Sequence, residues 1–206
     1  MPKKSRKDDI LKAAEKVFSE YPYPSASMRM IAREAQIDHP LIIYYFPTKA
    51  DLFEAVVKEV TEKLSRAMPA WYQGISEMGL SGGVSAYLDR ALEFHRKNPE
   101  LMRVILLNMV QSNRKSMAIP GYRHIQEVFE FGARVFREHS RYRTNPRQLS
   151  IMMKGFSLLM INLMGAREYH AEIQGLDPKS DAYFKWAKDV ILFMILPVLH
   201  SFELKE

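Results

Sequence analysis

Apolar residues recur along this chain at intervals of three and four, the spacing that gathers them on one face of an α-helix. Ile10, Leu11, Ala14, Val17 and Phe18 form the first such stripe and predict a helix from about Lys4 to Tyr21. Tyr21-Pro22-Tyr23-Pro24 ends it, because proline lacks an amide donor and pushes the preceding residue out of helix. Ser27 is placed to cap a short second helix over Met28–Ala35. Asp38 is placed to cap a third, with His39 and Pro40 in a first turn that tolerates proline, and that helix ends near Phe46-Pro47. Thr48-Lys49-Ala50-Asp51 has the look of a capping box and opens a long fourth helix toward Met68.

Pro69 and the stretch Gly79–Gly83 predict a boundary or elbow. Beyond it the pattern predicts helices at about 82–97, 99–113, 120–140, 146–171 and 179–202. They are separated at Asn98-Pro99, Ile119-Pro120-Gly121, Asn145-Pro146 and Asp177-Pro178, pairs that favour turns and fresh helix starts. Alternating β-branched runs are absent, as are repeats and low-complexity tracts. The expected fold is all-α: a three-helix unit over residues 1–50, joined by a long helix to a larger helical bundle over 51–206.

Composition narrows the function classes. Cysteine is absent, which removes disulfides, thiolate metal sites and a cysteine nucleophile, and suits a reducing compartment such as the cytoplasm. The basic amino terminus lacks the apolar run and cleavage site of a signal peptide. The greasiest stretches, Leu158–Gly165 and Val190–Leu199, are shorter than the ~20 residues of a bilayer span, so a soluble protein without a membrane partner is expected. Residues 1–50 hold nine Lys/Arg against six Asp/Glu, and the remaining three quarters hold 21 against 18, so the net charge of +6 is densest at the amino end. An anionic partner and a merely solvated tail both fit that bias. No HExxH, phosphate-cradling glycine loop, GxSxG or metal-spaced cluster is present, and the six histidines are scattered, so no catalytic, metal or cofactor site is expected.

Three compact helices with a third of about two turns have the geometry of a helix-turn-helix. Its core would be Ile10, Ala14, Phe18, Ile31, Ala32, Ile37, Ile42, Phe46 and Phe53. The outward face of the third helix, with His39, Leu41, Ile43, Tyr44 and Tyr45, is then free for a major groove. Stacking within the core is the competing reading for both tyrosines, as plain packing is for Ile43.

The order and spacing of Ile10-Leu11-Lys12-Ala13-Ala14 with Val17-Phe18, then Ser27-Met28-Arg29-Met30-Ile31-Ala32, Ala35-Gln36-Ile37 and Tyr44-Tyr45-Phe46-Pro47-Thr48-Lys49-Ala50-Asp51-Leu52-Phe53 resembles the amino-terminal signature of the tetracycline-repressor (TetR) family over about residues 6–60. The resemblance implies a homodimer that grips a double-stranded DNA operator. In it, Ser27 would meet a phosphate at the start of the second helix. Arg29 would reach a guanine edge, and His39, Pro40, Leu41 and Ile43 would face bases. Tyr44, Tyr45 and Lys49 would hold the backbone, which fixes register while base contacts choose sequence. Pro22 and Gln36 stand where the family usually has glycine. Leu41 and Ile43 replace a usual Thr and Tyr, which makes the reading face apolar and shifts the work toward thymine methyls, Arg29 and DNA shape.

The last two predicted helices are apolar on more than one stripe, so each must be covered on more than one side. The resemblance implies that a symmetry mate covers one of them. The residues expected at this dimer interface are Met152, Phe156, Leu159, Met160, Leu163, Phe184, Ala187, Ile191, Met194 and Val198; a helix fully buried within one chain is the alternative. In the middle helices Trp71, Phe94, Met102, Ile105, Met109, Tyr122, Ile125, Phe129 and, from the next, Phe156 suit an adaptable apolar cavity or an ordinary core. His95, Asn108, Gln111, His124 and Asn162 are the polar groups near it. By the resemblance, a small apolar or amphipathic effector enters there, shifts the fourth helix and relieves repression. A ligand-independent DNA-binding protein of the same fold controlled by a protein partner, and an activator, stay open at the level of sequence.

Overall fold

The structure is a computed structural model and describes residues 5–110, 121–139 and 145–202. Its described part is built from ten α-helices and one 3-10 turn. The first three are α1 (Arg6–Glu20), α2 (Met28–Ala35) and α3 (His39–Tyr45), followed by the long α4 (Lys49–Trp71). Then come α5 (Gly79–Lys97), α6 (Pro99–Val110), α7 (Gly121–His139), α8 (Pro146–Gly165), α9 (Arg167–Gln174) and α10 (Asp181–His200). No strand occurs among the described residues. The predicted end of the sixth helix at 113, the Ile119-Pro120 break and Gln111 lie outside them.

The amino-terminal starts follow local chemistry. Ser5 and Asp8 form a reciprocal capping box on α1, and Thr48 and Asp51 form another on α4. Ser27 Oγ accepts the Met30 amide at 3.2 Å and so caps α2. Asp38 departs from expectation: it has extended cap backbone, but its side chain makes no capping hydrogen bond to α3. Gln36 ends α2 in the left-handed region at φ 54°, doing without the glycine that region favours.

Two breaks fall elsewhere than the apolar pattern predicts. Pro69 sits inside the last turn of α4, and the chain turns instead at Tyr72–Met78, around the 3-10 turn Ile75–Glu77. Gly79, Gly82 and Gly83, read as an elbow, belong to α5. The helix predicted over 146–171 is two helices, broken at Ala166 and bent by 75°. Gly165 explains the bend's position: a Cβ there would lie 2.8 Å from the Met102 carbonyl oxygen, so only glycine lets α8 end against α6.

One continuous hydrophobic core runs from α1 through α4 and into the bundle. Helix α4 packs on α1, α5, α6 and α7; α6 lies against α1 and α8; α10 lies against α5 and α8. No single helix among the described residues is long and apolar enough to cross a membrane.

Candidate nucleic-acid interface

The expected core of the first three helices is buried: Ile10, Ala14, Phe18, Ile31, Ala32, Ile42, Phe46 and Phe53 are all inside, and Ile37 is half-buried. Because Ile42 points inward, its neighbours on α3 turn out. His39, Pro40, Ile43 and Tyr44 are exposed, Tyr44 at 79%, and Leu41 and Tyr45 are half-buried. Arg29 is exposed on α2, next to the half-buried cap residue Ser27. The Tyr44 ring is left almost entirely in water. Its ring meets Tyr45 edge-on at 5.2 Å. His39, Pro40, Ile43 and Tyr44 thus form the exposed side of α3, and the Lys7 ammonium lies 5.6 Å from the ring centre of Phe46, the residue that ends that helix.

Lys49 behaves differently. Its ammonium donates to the carbonyl oxygens of Tyr23 at 2.7 Å and Ala26 at 2.9 Å, and sits 4.4 Å from the centre of the Tyr23 ring. Burial lowers its pKa below the usual lysine value. Where the family pattern implies a phosphate grip, this geometry also makes Lys49 a structural tie between the turn before α2 and the start of α4.

The same turn is held from the far side, which the sequence pattern did not reveal. Asn108 of α6 is fully buried, and its Oδ1 accepts the Tyr23 amide at 2.9 Å. Its Nδ2 donates to the Val104 carbonyl at 2.7 Å, and its own carbonyl accepts the Tyr122 hydroxyl at 3.1 Å. Tyr122, read from sequence as a cavity residue, therefore closes the junction of the two units. It packs on Phe53 with ring centres 5.8 Å apart, and Phe53 meets Phe18 at 5.1 Å and Tyr23 at 4.9 Å. Gly121 makes room, since a Cβ there would come within 3.0 Å of the Phe53 ring. Arg103 adds a bond from its Nε to the Ser19 carbonyl at 2.7 Å and an ion pair with Glu168 at 2.9 Å. The links Tyr23–Asn108 and Ser19–Arg103 join residues 85 and 84 positions apart and leave no local periodicity to read.

The other expected cavity residues divide between core and nest. Met102, Ile105 and Ile125 are buried, while Met109 and Phe129 are half-buried against the core. Trp71, Phe94 and Phe156 gather instead around Tyr87: Trp71 lies 5.8 Å from Tyr87 and 5.5 Å from Phe94, and Phe156 lies 6.0 Å from Tyr87. Tyr72, absent from the expected set, joins Tyr87 at 4.8 Å.

The expected dimer face is redistributed in a similar way. Met152, Met160, Leu163, Phe184, Ala187 and Ile191 are buried by their own chain, and Phe156 and Leu159 are half-buried, leaving Met194 and Val198 exposed. The water-facing apolar stripes are Ile151 and Leu158 on α8, and Phe193, Met194 and Val198 on α10, with Phe193 at 81%. Both helices are apolar nearly all round, so the pattern alone could not separate the inner stripe from the outer one.

Comparison with known proteins agrees with this geometry. The family described as bacterial regulatory proteins, tetR family, matches residues 10–56. The regulator RutR of Escherichia coli K12 is 24% identical over 106 residues, 52% of this chain and 49% of that protein, so the chain matches about half the length of this relative. The regulator YttP of Bacillus subtilis 168 is 22% identical over 201 residues, 97% of this chain and 96% of that one. Among solved structures, a transcriptional regulator from Aquifex aeolicus VF5 superposes with a TM-score of 0.63 at 14% identity, covering 94% of this chain and 99% of that one. Residues 10–56 thus match the amino-terminal domain of the tetR family of bacterial regulatory proteins, and the chain as a whole shares the fold of these solved regulators.

Proposed function

We propose that the protein is a homodimeric, cytoplasmic repressor that reads operator DNA with α3 and the start of α2 and is released by a small apolar or amphipathic effector. The observation that carries the DNA reading is the outward face of α3, where Tyr44 stands 79% exposed beside His39, Pro40 and Ile43. Arg29 is the base-reading cation, its guanidinium matching the O6/N7 acceptor pair of guanine. Ser27 and Tyr44 contact phosphates, Tyr45 supports Tyr44, and Leu41 and Ile43 meet thymine methyls.

Two such heads must reach half-sites about 34–36 Å apart or a multiple of it. The exposed stripes of α8 and α10 support pairing of two copies through a four-helix interface, because Ile151, Leu158, Phe193 and Met194 otherwise stay in water. Release follows if the effector binds more tightly to a state whose head spacing misses the operator. The aromatic nest beneath α4 is the place for it, because α4 joins that nest to the reading head.

Mobility shift against DNA flanking the gene tests the reading. Arg29→Ala is expected to change sequence preference, whereas Tyr44→Phe weakens all sequences alike. Retention of wild-type affinity and preference by both variants would remove α2 and α3 as the reading surface. Sedimentation of Phe193→Asp against the parent tests the interface, with a shift from dimer to the 24.0 kDa monomer expected.

A further inference from the structure

The nest at the carboxy-terminal end of α4 combines two features that ordinary core does not. Its rings come from separate helices, Trp71 and Tyr72 from the end of α4, Tyr87 and Phe94 from α5, and Phe156 from α8, yet all except Trp71 are only half-buried. Beside them lies His95, 3% exposed, its ring 6.2 Å from Trp71 and 5.3 Å from Phe94, and its Nδ1 has no hydrogen-bond partner. A buried polar atom without a partner costs free energy that a bound group can return.

The nest's own polar groups are neutral, and Arg90 and His139 stand at its edge, the His139 ring 5.1 Å from that of Tyr72. Burial holds the His95 imidazole neutral, with its pKa lowered to about 3, so it offers one acceptor and one donor nitrogen. Burial raises the phenols of Tyr72 and Tyr87, Tyr87 to about 12. The neighbouring cation, Arg90, spends Nη1 on the carbonyls of Trp71 at 3.1 Å and Gln73 at 2.6 Å, closing the end of α4. A charged ring entering the nest, of either sign, would give up its hydration to a lining made mostly of aromatic rings, a cost that a neutral ring does not bear.

We propose that this nest receives an uncharged, planar aromatic molecule bearing a single hydroxyl or ring N–H, and that His95 is the residue that reads that group. The proposal rests on the effector reading above and names the ligand class. The rings supply stacking area, and His95 supplies discrimination between ligands of the same shape.

Calorimetric titration of the full chain at pH 7 with phenol, indole, toluene, benzoate and benzylammonium tests it. Phenol and indole are expected to bind, and benzoate and benzylammonium to bind at least about tenfold more weakly. In His95→Phe the affinity ratio of phenol to toluene is expected to fall about fivefold, the size of one neutral hydrogen bond, with His95→Gln restoring part of it. The melting temperature of ligand-free His95→Phe should equal or exceed the parent's, because the substitution removes an unsatisfied buried atom; a purely structural histidine would give a decrease. If His95→Phe does not fold, His95→Met carries the same comparison.

Equal binding of charged and neutral aromatics, or a phenol-to-toluene ratio untouched by His95→Phe, overturns the ligand class while leaving the site in place. If none of the five compounds binds, the effector reading of the nest falls with it. The DNA reading is judged separately by mobility shift.

Discussion

Two aromatic clusters lean on opposite ends of α4, and they differ in how completely their polar atoms are satisfied. At the amino-terminal end, Phe18, Tyr23, Phe53 and Tyr122 enclose a junction in which the Tyr23 amide, the Asn108 carboxamide, the Tyr122 hydroxyl and the Lys49 ammonium all find partners. At the carboxy-terminal end, half-buried rings surround an imidazole nitrogen with none. Low local dielectric strengthens a completed polar network and penalises an incomplete one. The first cluster is therefore built to hold one arrangement, whereas the second carries an unmet polar atom, the feature on which the proposed ligand site rests. One helix connects them, so in the proposed mechanism a change at the carboxy-terminal end would reach the other end as a displacement of α4.

The contrast breaks most visibly at Phe53. It is fully buried and central to the first cluster, so Phe53→Ala is expected to cost about 3–5 kcal/mol in denaturant unfolding. Asn108→Ala should cost roughly 1–3 kcal/mol, since it strands the Tyr23 amide in a buried junction. Hydrogen exchange should then show loss of protection at Tyr23, and mobility shift a weakened hold on the operator.

The receptive cluster predicts a pH signature. His95 titrates near 3 when folded and near 6.5 when free, so below pH 6.5 the unfolded chain takes up a proton that the folded chain refuses. Stability should fall as pH drops through that window, by up to about 1.4 kcal/mol per unit, and this contribution should vanish in His95→Phe. Smallest is Tyr122→Phe, which removes one hydroxyl bond and keeps the ring, and should cost about 0.5–1.5 kcal/mol. A larger loss there than at Asn108 would mean that the hydroxyl, not the carboxamide, secures the junction.

What could be read from sequence was what depends on near neighbours. Ser27 and Thr48 announce helix starts because their partners lie three residues on, and the inward set from Ile10 to Phe53 follows one period. The exposed face of α3 follows from the same period. What could not be read depends on choices between equally apolar faces or on distant partners. Met152 and Ile151 are adjacent and both apolar, yet one is 7% and the other 63% exposed. Tyr122 looked like any aromatic in a middle helix until α6 brought Asn108 to it. The bend after Gly165 needs the Met102 carbonyl, 63 positions earlier, to make sense.

The Asn108–Tyr23 bond also bears on how such a chain can be cut and recombined. A fragment ending at residue 50 would keep every residue of the reading face but lose Leu52, Phe53 and Val56 from beneath it, together with the carboxamide that fastens its first turn. Transplanting this head onto another body would then require carrying the first half of α4 and matching α6 at one position. The amino-terminal unit is thus less a cartridge than a keystone, seated by the bundle to which it is joined.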